Sequence, residues 1–213
     1  MAPVTDLRPL TLADVDAAGA LLGRAFQDNP AYRAILSHLS DDARAAAVAR
    51  VKTGFTAAAV RHQEAHGIWS DGRLVAVSLT CAPGQYPHRL AAFARHAAGC
   101  LTTGWRGIKG FLRVDGYITR RHIREPHHYL FVLGVEPAEQ GRGLGKALLR
   151  SLSDRADAER LPCYLETDKP TSVALYRTAG YVVLTEADVR GVAGLHLWTM
   201  RRPEAPGYSA ARP

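Results

Sequence analysis

The period of the apolar positions changes several times along the chain, and each change marks an element. Asp6–Leu10 reads as a short first strand. Thr11 then opens a helix, with Asp14 three residues on supporting its first turn; Leu12, Val15, Ala18 and Leu22 recur at helical spacing as far as Phe26. Gly19 and Gly23 interrupt that pattern, and the Asn29–Pro30 step ends it. Asp41 and Asp42 open a long alanine-rich helix predicted to run towards His66. Ile68-Trp69-Ser70 and Leu74–Leu79 flank Asp71-Gly72, a pair that tolerates positive φ, and so predict a hairpin closed by Pro83-Gly84. From about His88 to His122 the pattern is helical in pieces, broken near Gly104 and Gly107.

The carboxy-terminal half is clearer. Tyr129–Val135 is an almost unbroken apolar run, as expected of a strand buried on both faces. A helix from about Gly143 to Glu159 presents Leu144, Leu148 and Leu152 on one face. Cys163–Thr167 is a further strand, Pro170 leads a short helix ending at Gly180, and Tyr181–Thr185 and Leu195–Met200 close the series. Strands alternating with helices predict an α/β protein with at least one parallel pair around the 143–159 helix. One domain over 6–203 is expected, with loose ends at 1–5 and 204–213, both rich in Pro, Ala and Gly.

Composition narrows the class. The chain has 213 residues, enough to bury a sizeable core in one domain. No run approaches the roughly 20 apolar residues of a membrane span, and the first ten residues lack a signal-peptide pattern. Cys81, Cys100 and Cys163 are spaced neither as a disulfide framework nor as a zinc site, so a cytoplasmic protein with reduced thiols is expected. The net charge of +7 fits a polyanionic small molecule as well as it fits nucleic acid. The basic run Arg120-Arg121-His122-x-Arg124 has no interleaved aromatics and reads as a solvated face rather than a nucleic-acid site. His62 and His66 stand four apart on the predicted helix, but Gln63-Glu64 between them is not the zinc-protease order, so no metal is expected.

The chemistry lies in the turn Gln140-Gly141-Arg142-Gly143-Leu144-Gly145-Lys146. A buried strand ends there and a helix begins. The first turn of a helix leaves amide N–H groups without internal partners, and its dipole favours anions. Glycines let a phosphate approach the backbone, and Arg142 and Lys146 add charge at the same end. A Walker loop is excluded by Gln140 and Ala147, and a dinucleotide fingerprint by Lys146 or Leu148, according to where it is begun.

Gln140-x-x-Gly143-x-Gly145 after YLFVLGV resembles the coenzyme A motif of the GNAT N-acetyltransferases. Glu125–Leu130, Leu165-Glu166-Thr167 and Leu175–Tyr181 resemble the sub-family that includes puromycin N-acetyltransferase. The specific motifs are confined to about 125–181.

The resemblance implies a mixed, mostly antiparallel sheet of about seven strands, flanked by helices, whose central parallel strands Tyr129–Val135 and Cys163–Thr167 splay apart. Coenzyme A would pair its pantetheine arm with Leu133, Gly134 and Val135. Its diphosphate would rest on Gln140 and on the amides from Gly141 to Lys146, Arg142, Gly143, Leu144 and Gly145 included. Gly134 is where a strand bulge would sit and aim an N–H at the thioester carbonyl. Ser172 stands where the family commonly has an Asn that contacts pantetheine or substrate.

The reaction implied is transfer of acetyl from acetyl-CoA by direct attack of a primary amine, on a small-molecule acceptor such as an antibiotic or a metabolite. A protein lysine or N-terminal acetyltransferase and a non-catalytic acyl-CoA sensor are the alternatives. A lysine-like amine with a pKa near 10.4 is neutral in only about one molecule in 10³ at pH 7, which costs roughly 4–5 kcal/mol unless a base takes the proton. Tyr176 matches the family's acid, and it also touches the cofactor. Glu166, in an otherwise apolar strand and on the same strand face as Tyr164, is the first candidate base. His127 is an alternate. Phe26, Asn29, Tyr32 and His128 are candidates for the acceptor site, on a protein expected to be a monomer or homodimer.

Overall fold

The computed structural model describes residues 6–86 and 100–204. Seven strands form one sheet: β1 (Asp6–Pro9), β2 (Ala65–Ser70), β3 (Arg73–Cys81), β4 (His128–Val135), β5 (Cys163–Thr167), β6 (Val182–Asp188) and β7 (His196–Arg202). Their spatial order is β1-β2-β3-β4-β5-β7-β6. Every pairing is antiparallel except β4 with β5. The α/β class and the mixed sheet are therefore as the sequence predicts. The parallel pair is joined by the α5 helix (Leu144–Glu159), the crossover that parallel strands require.

The splay is visible in the register. β4 and β5 pair only at His128–Cys163, Tyr129–Tyr164 and Leu130–Leu165. Beyond that point β4 stays on β3 while β5 stays on β7 through Thr167. The bulge is not at Gly134. Leu79 pairs with Val132 and Thr80 with Leu130, so the extra residue is Phe131, and Gly134 pairs regularly with Val77. Gly134 has another reason to lack a side chain: a Cβ there would run into Leu22 of helix α1 (Val15–Phe26) and meet Phe26 at 3.3 Å.

Glycines misled the reading of the helices in the same way. Gly19 and Gly23 do not weaken α1; they let it cross α3 (Asp41–Arg61) at close range, where a Cβ on Gly23 would lie 2.7 Å from the Ala49 methyl. The predicted break near Gly104 is present, as a turn at 102–103 after the helical residues 100–101, whereas the one near Gly107 is absent. Gly104, at φ 68°, begins a continuous α4 (Gly104–Arg121), and Gly107 and Gly110 let that helix sit on Leu36 and Ile35. The part of that segment from 88 to 99 lies outside the described residues, as do 1–5 and 205–213.

α3 starts at Asp41, with the Ser40 hydroxyl accepting from the Ala43 amide, but ends at Arg61 rather than near His66. His66 is on β2, so it and His62 do not share a helix face. Asn29 begins the short α2 (Pro30–Ile35), which the sequence reading left out. The hairpin turn is as expected, with Asp71 at φ 50° and Gly72 at φ 73°. No helix among the described residues is long and apolar enough to cross a membrane.

Candidate active site

A cleft of about 810 Å³ opens where β4 and β5 part. The β4 edge is one wall. Glu136 N–H donates to Val75 O on the β3 side, and strand alternation therefore turns the N–H and C=O of Leu133 and Val135 towards the cleft. Gln140 Nε2 donates to Val135 O at 3.2 Å, tying the turn to the strand end. The opposite wall is Thr167–Lys169, Thr171, Ser172, Leu175 and Tyr176, from β5 and helix α6 (Pro170–Thr178).

The floor at the open end is the Gln140–Lys146 turn. Gly141 at φ 80° and Gly143 at φ 84° hold conformations that strain L-residues, and a Cβ on Gly141 would meet nothing within 4 Å. Gly143 caps α5, and its O accepts from Ala147 N–H at 3.0 Å. No amide from Gly141 to Lys146 donates to an acceptor among the described residues. Arg142 is paired with Glu139, whereas exposed Lys146 has no acidic partner among the described residues. Bare amides at a helix start, a lysine and open space beside them fit the diphosphate of coenzyme A. The free β4 edge fits an amide-containing arm laid alongside it like an added strand.

The sequence-nominated residues divide into two sets. Leu133, Gly134, Val135, the 140–146 turn, Ser172, Tyr176, Glu166, Phe26 and Asn29 all line the cleft. Tyr176 is 8% exposed, and burial, with the Asp168 carboxylate second, pushes its pKa up, so the phenol keeps its proton throughout the neutral range. Glu166 Oε2 accepts from the Tyr129 hydroxyl at 2.6 Å, and its Oε1 is 3.5 Å from His122 Nδ1.

Tyr32, His127 and His128 are not brought to the cleft. Tyr32 packs edge-on to Phe26 and Phe111 in the core. His128 is buried against α5, its Nε2 3.0 Å from Glu159, because the residue after His127 faces the opposite side of the strand. His127 is also buried, with Nδ1 on the Glu125 carbonyl at 2.7 Å, and joins Glu166 only through His122. His122 itself lies in the basic run that reads as a solvated face, yet its side chain is 7% exposed.

Two further groups were missed. Asp168 follows β5 directly and is buried at the cleft; it accepts from Asn29 Nδ2 at 2.9 Å and from the Ala31 N–H at 2.7 Å. A carboxylate one residue beyond the second splayed strand was the available signal. Lys52 sits in the middle of α3 and is 4% exposed, its Nζ 3.9 Å above the Phe26 ring and 5.2 Å from the Tyr32 ring. Burial pushes its pKa down to about 7, and the Asp168 charge only partly opposes this. Stability should therefore rise as the pH is raised from about 7 to about 9. In that window the unfolded lysine, with its pKa near 10.4, still holds a proton that the folded one has lost. Lys52→Met should flatten that slope in denaturant titrations at a series of pH values. An unchanged slope would show that Lys52 stays charged in the fold.

Known proteins fit this geometry. The acetyltransferase (GNAT) family profile matches residues 80–181. The chain is 34% identical over 125 residues to the N-alpha-acetyltransferase RimI of Mycobacterium tuberculosis, covering 56% of this chain and 73% of that protein. It is 37% identical over 83 residues to the mycothiol acetyltransferase of Catenulispora acidiphila, which spans 36% of this chain and only 26% of that enzyme. The structure of a Drosophila melanogaster polyamine N-acetyltransferase superposes with a TM-score of 0.63 at 17% identity, over 92% of this chain and 98% of that one. At that identity the likeness speaks for the fold. The relative matched over nearly three quarters of its length speaks for descent, and with it the chain belongs to the GNAT family of acetyl-CoA-dependent N-acetyltransferases.

Proposed function

We propose that the protein transfers acetyl from acetyl-CoA to the primary amine of a small molecule, an antibiotic or a metabolite, in the cytoplasm. The observation that carries this reading is the convergence, in one cleft, of the bare amides of Gly141–Lys146, the free β4 edge and the buried hydroxyl of Tyr176. When bound, acetyl-CoA supplies an activated acetyl thioester. The protein holds its phosphates at the α5 start and its arm at Leu133 and Val135. Tyr176 stands ready to donate a hydrogen bond to a departing sulfur, and Glu166 to accept the proton that an ammonium acceptor must lose.

A small acceptor is favoured by a second, mainly apolar cavity of about 580 Å³ that shares Phe131 with the cleft. Phe55, Phe111, Ile118 and Tyr129 are among its lining residues. Phe131 is the bulged residue of β4, so the distorted point of the strand borders both spaces. The motifs at 125–130, 165–167 and 175–181, with their likeness to the puromycin N-acetyltransferase sub-family, support the same class of acceptor. The RimI relative supports a second reading, transfer to a protein N-terminus.

Coenzyme A release, followed with a thiol reagent over a panel of small amines and amino-terminal peptides, separates these. Release with one or more small amines is expected. Release only with peptides would transfer the assignment to the N-terminal reading. No release with any acceptor, alongside tight acetyl-CoA binding, would leave a sensor.

A further inference from the structure

Glu166 is backed by two imidazoles in series. His127 Nδ1 lies 2.7 Å from the Glu125 carbonyl oxygen, which can only accept, so Nδ1 carries a proton. His127 Nε2 is 3.0 Å from His122 Nε2, and one of the two must donate. Burial lowers the His127 pKa, which favours the neutral ring and leaves its Nε2 bare. His122 therefore donates from Nε2. Its remaining nitrogen, Nδ1, faces Glu166 Oε1 at 3.5 Å, and neither buried atom has a hydrogen-bond partner among the described residues. A single proton between them makes a charge-assisted hydrogen bond. The geometry is that of a pair able to take up one proton.

The groups packed around this pair are poor competitors for that proton. Tyr86 stacks on His122 at 3.8 Å, and the rings of Tyr129 and Tyr164 meet it edge-on at 4.8 and 4.7 Å. Cys81 lies in the same cluster. Burial pushes the Tyr86 pKa up to about 12, and pushes Cys81, Tyr129 and Tyr164 upward too, so all four stay protonated near neutrality. The Glu125 carboxylate is held by Arg201 at 2.7 Å. The groups left in contact along this line are the Glu166 carboxylate and the two imidazoles.

We propose that His122 and His127 form a proton exit for Glu166. The proton lost by the acceptor amine breaks its N–H bond and forms an O–H bond on Glu166, then passes to His122 Nδ1. The His122 Nε2 proton moves to His127 Nε2, and His127, 8% exposed, releases its Nδ1 proton to solvent, after which both rings exchange back to their starting tautomers. The balance is one proton moved from amine to water, with no electrons transferred. The inference rests on the reading of Glu166 as the base, and His122 and His127 are relay residues that touch no reacting atom.

Two measurements test it. Long-range 15N–1H NMR of the wild-type protein should find His127 neutral with its proton on Nδ1. His122 should carry its proton on Nε2 and gain a second on Nδ1 as the pH is lowered. A neutral His122 protonated on Nδ1, or a His127 protonated on Nε2, would overturn the relay without any substrate being needed.

With the best acceptor from the amine panel, His122→Gln should lower kcat roughly tenfold and shift the acidic limb of kcat to lower pH, since a lone carboxylate takes up a proton less readily. It should cause no further loss in a Glu166→Gln background. A loss equal at every pH and additive with Glu166→Gln would make His122 a packing residue only. If Glu166→Gln lowers kcat and His122→Gln does not, the relay falls and the base stands. If Glu166→Gln changes neither kcat nor its acidic limb, both fall.

Discussion

Gly143→Val is expected to weaken acetyl-CoA binding by at least about 100-fold, near 2.7 kcal/mol, while leaving the protein folded. Two effects add. Gly143 holds φ 84° and ψ 0°, where an L-residue costs roughly 1–2 kcal/mol and a β-branched one more. The chain can relieve that strain by re-forming the turn, because Gly143 caps a sixteen-residue helix whose core contacts, through Leu148, Leu149 and Leu152, lie further along it. Relief of this kind moves the amides of Gly141–Lys146 out of alignment. The second effect is bulk placed beside those same amides. Titration calorimetry with acetyl-CoA reads the loss directly, and a thermal melt run alongside shows whether the fold is kept. Gly143→Ala should fall between the two. Undiminished affinity in a folded valine variant would remove the phosphates from this turn.

The parts of the molecule legible in the sequence are those whose partners are close along the chain. β5 occupies the predicted Cys163–Thr167, and α5 begins one residue after the predicted Gly143. The apolar run of β4, the glycine turn and the α5 leucines define one another within about thirty residues. Tyr176 belongs to this group, since it follows the second splayed strand on the next helix. Glycine was harder to interpret. At 19, 23, 107, 110 and 134 its use is the close approach of another element, and a sequence cannot distinguish that from a turn or a bulge before the fold is known.

Polar residues whose partners are distant were the least legible. Asn29 and Asp168 are 139 positions apart and hydrogen-bonded. Lys52 reads as one more surface lysine on an alanine-rich helix until Phe26 and Tyr32 close over it. His122 reads as part of a basic run because the strand residues that bury it, Tyr129 and Tyr164, come later in the chain. The strand face shared by Tyr164 and Glu166 was predictable from alternation alone, but the histidines that meet Glu166 there were not.

Tyr176→Phe tests the chemistry rather than the binding. An unperturbed tyrosine, near pKa 10, is already a weaker acid than a thiol near 8.5, so full proton transfer to the leaving sulfur is uphill by about 2 kcal/mol. Burial and the Asp168 carboxylate raise the Tyr176 pKa further and make that transfer less favourable still. The hydroxyl is therefore best placed to act as a hydrogen-bond donor to developing negative charge, an interaction worth roughly 1.5–3 kcal/mol. Removing it should lower kcat by roughly 10- to 150-fold, with acetyl-CoA affinity and the shape of the pH profile kept. The ring contact with Tyr181, at 5.8 Å between centroids, survives in phenylalanine, so the fold should be unaffected. A full general acid would behave differently, since its loss would cost 10²–10⁴-fold and remove the alkaline limb with it. Steady-state kinetics across pH, with acetyl-CoA binding measured separately, tells these apart. Wild-type turnover in the phenylalanine variant would take Tyr176 out of the mechanism.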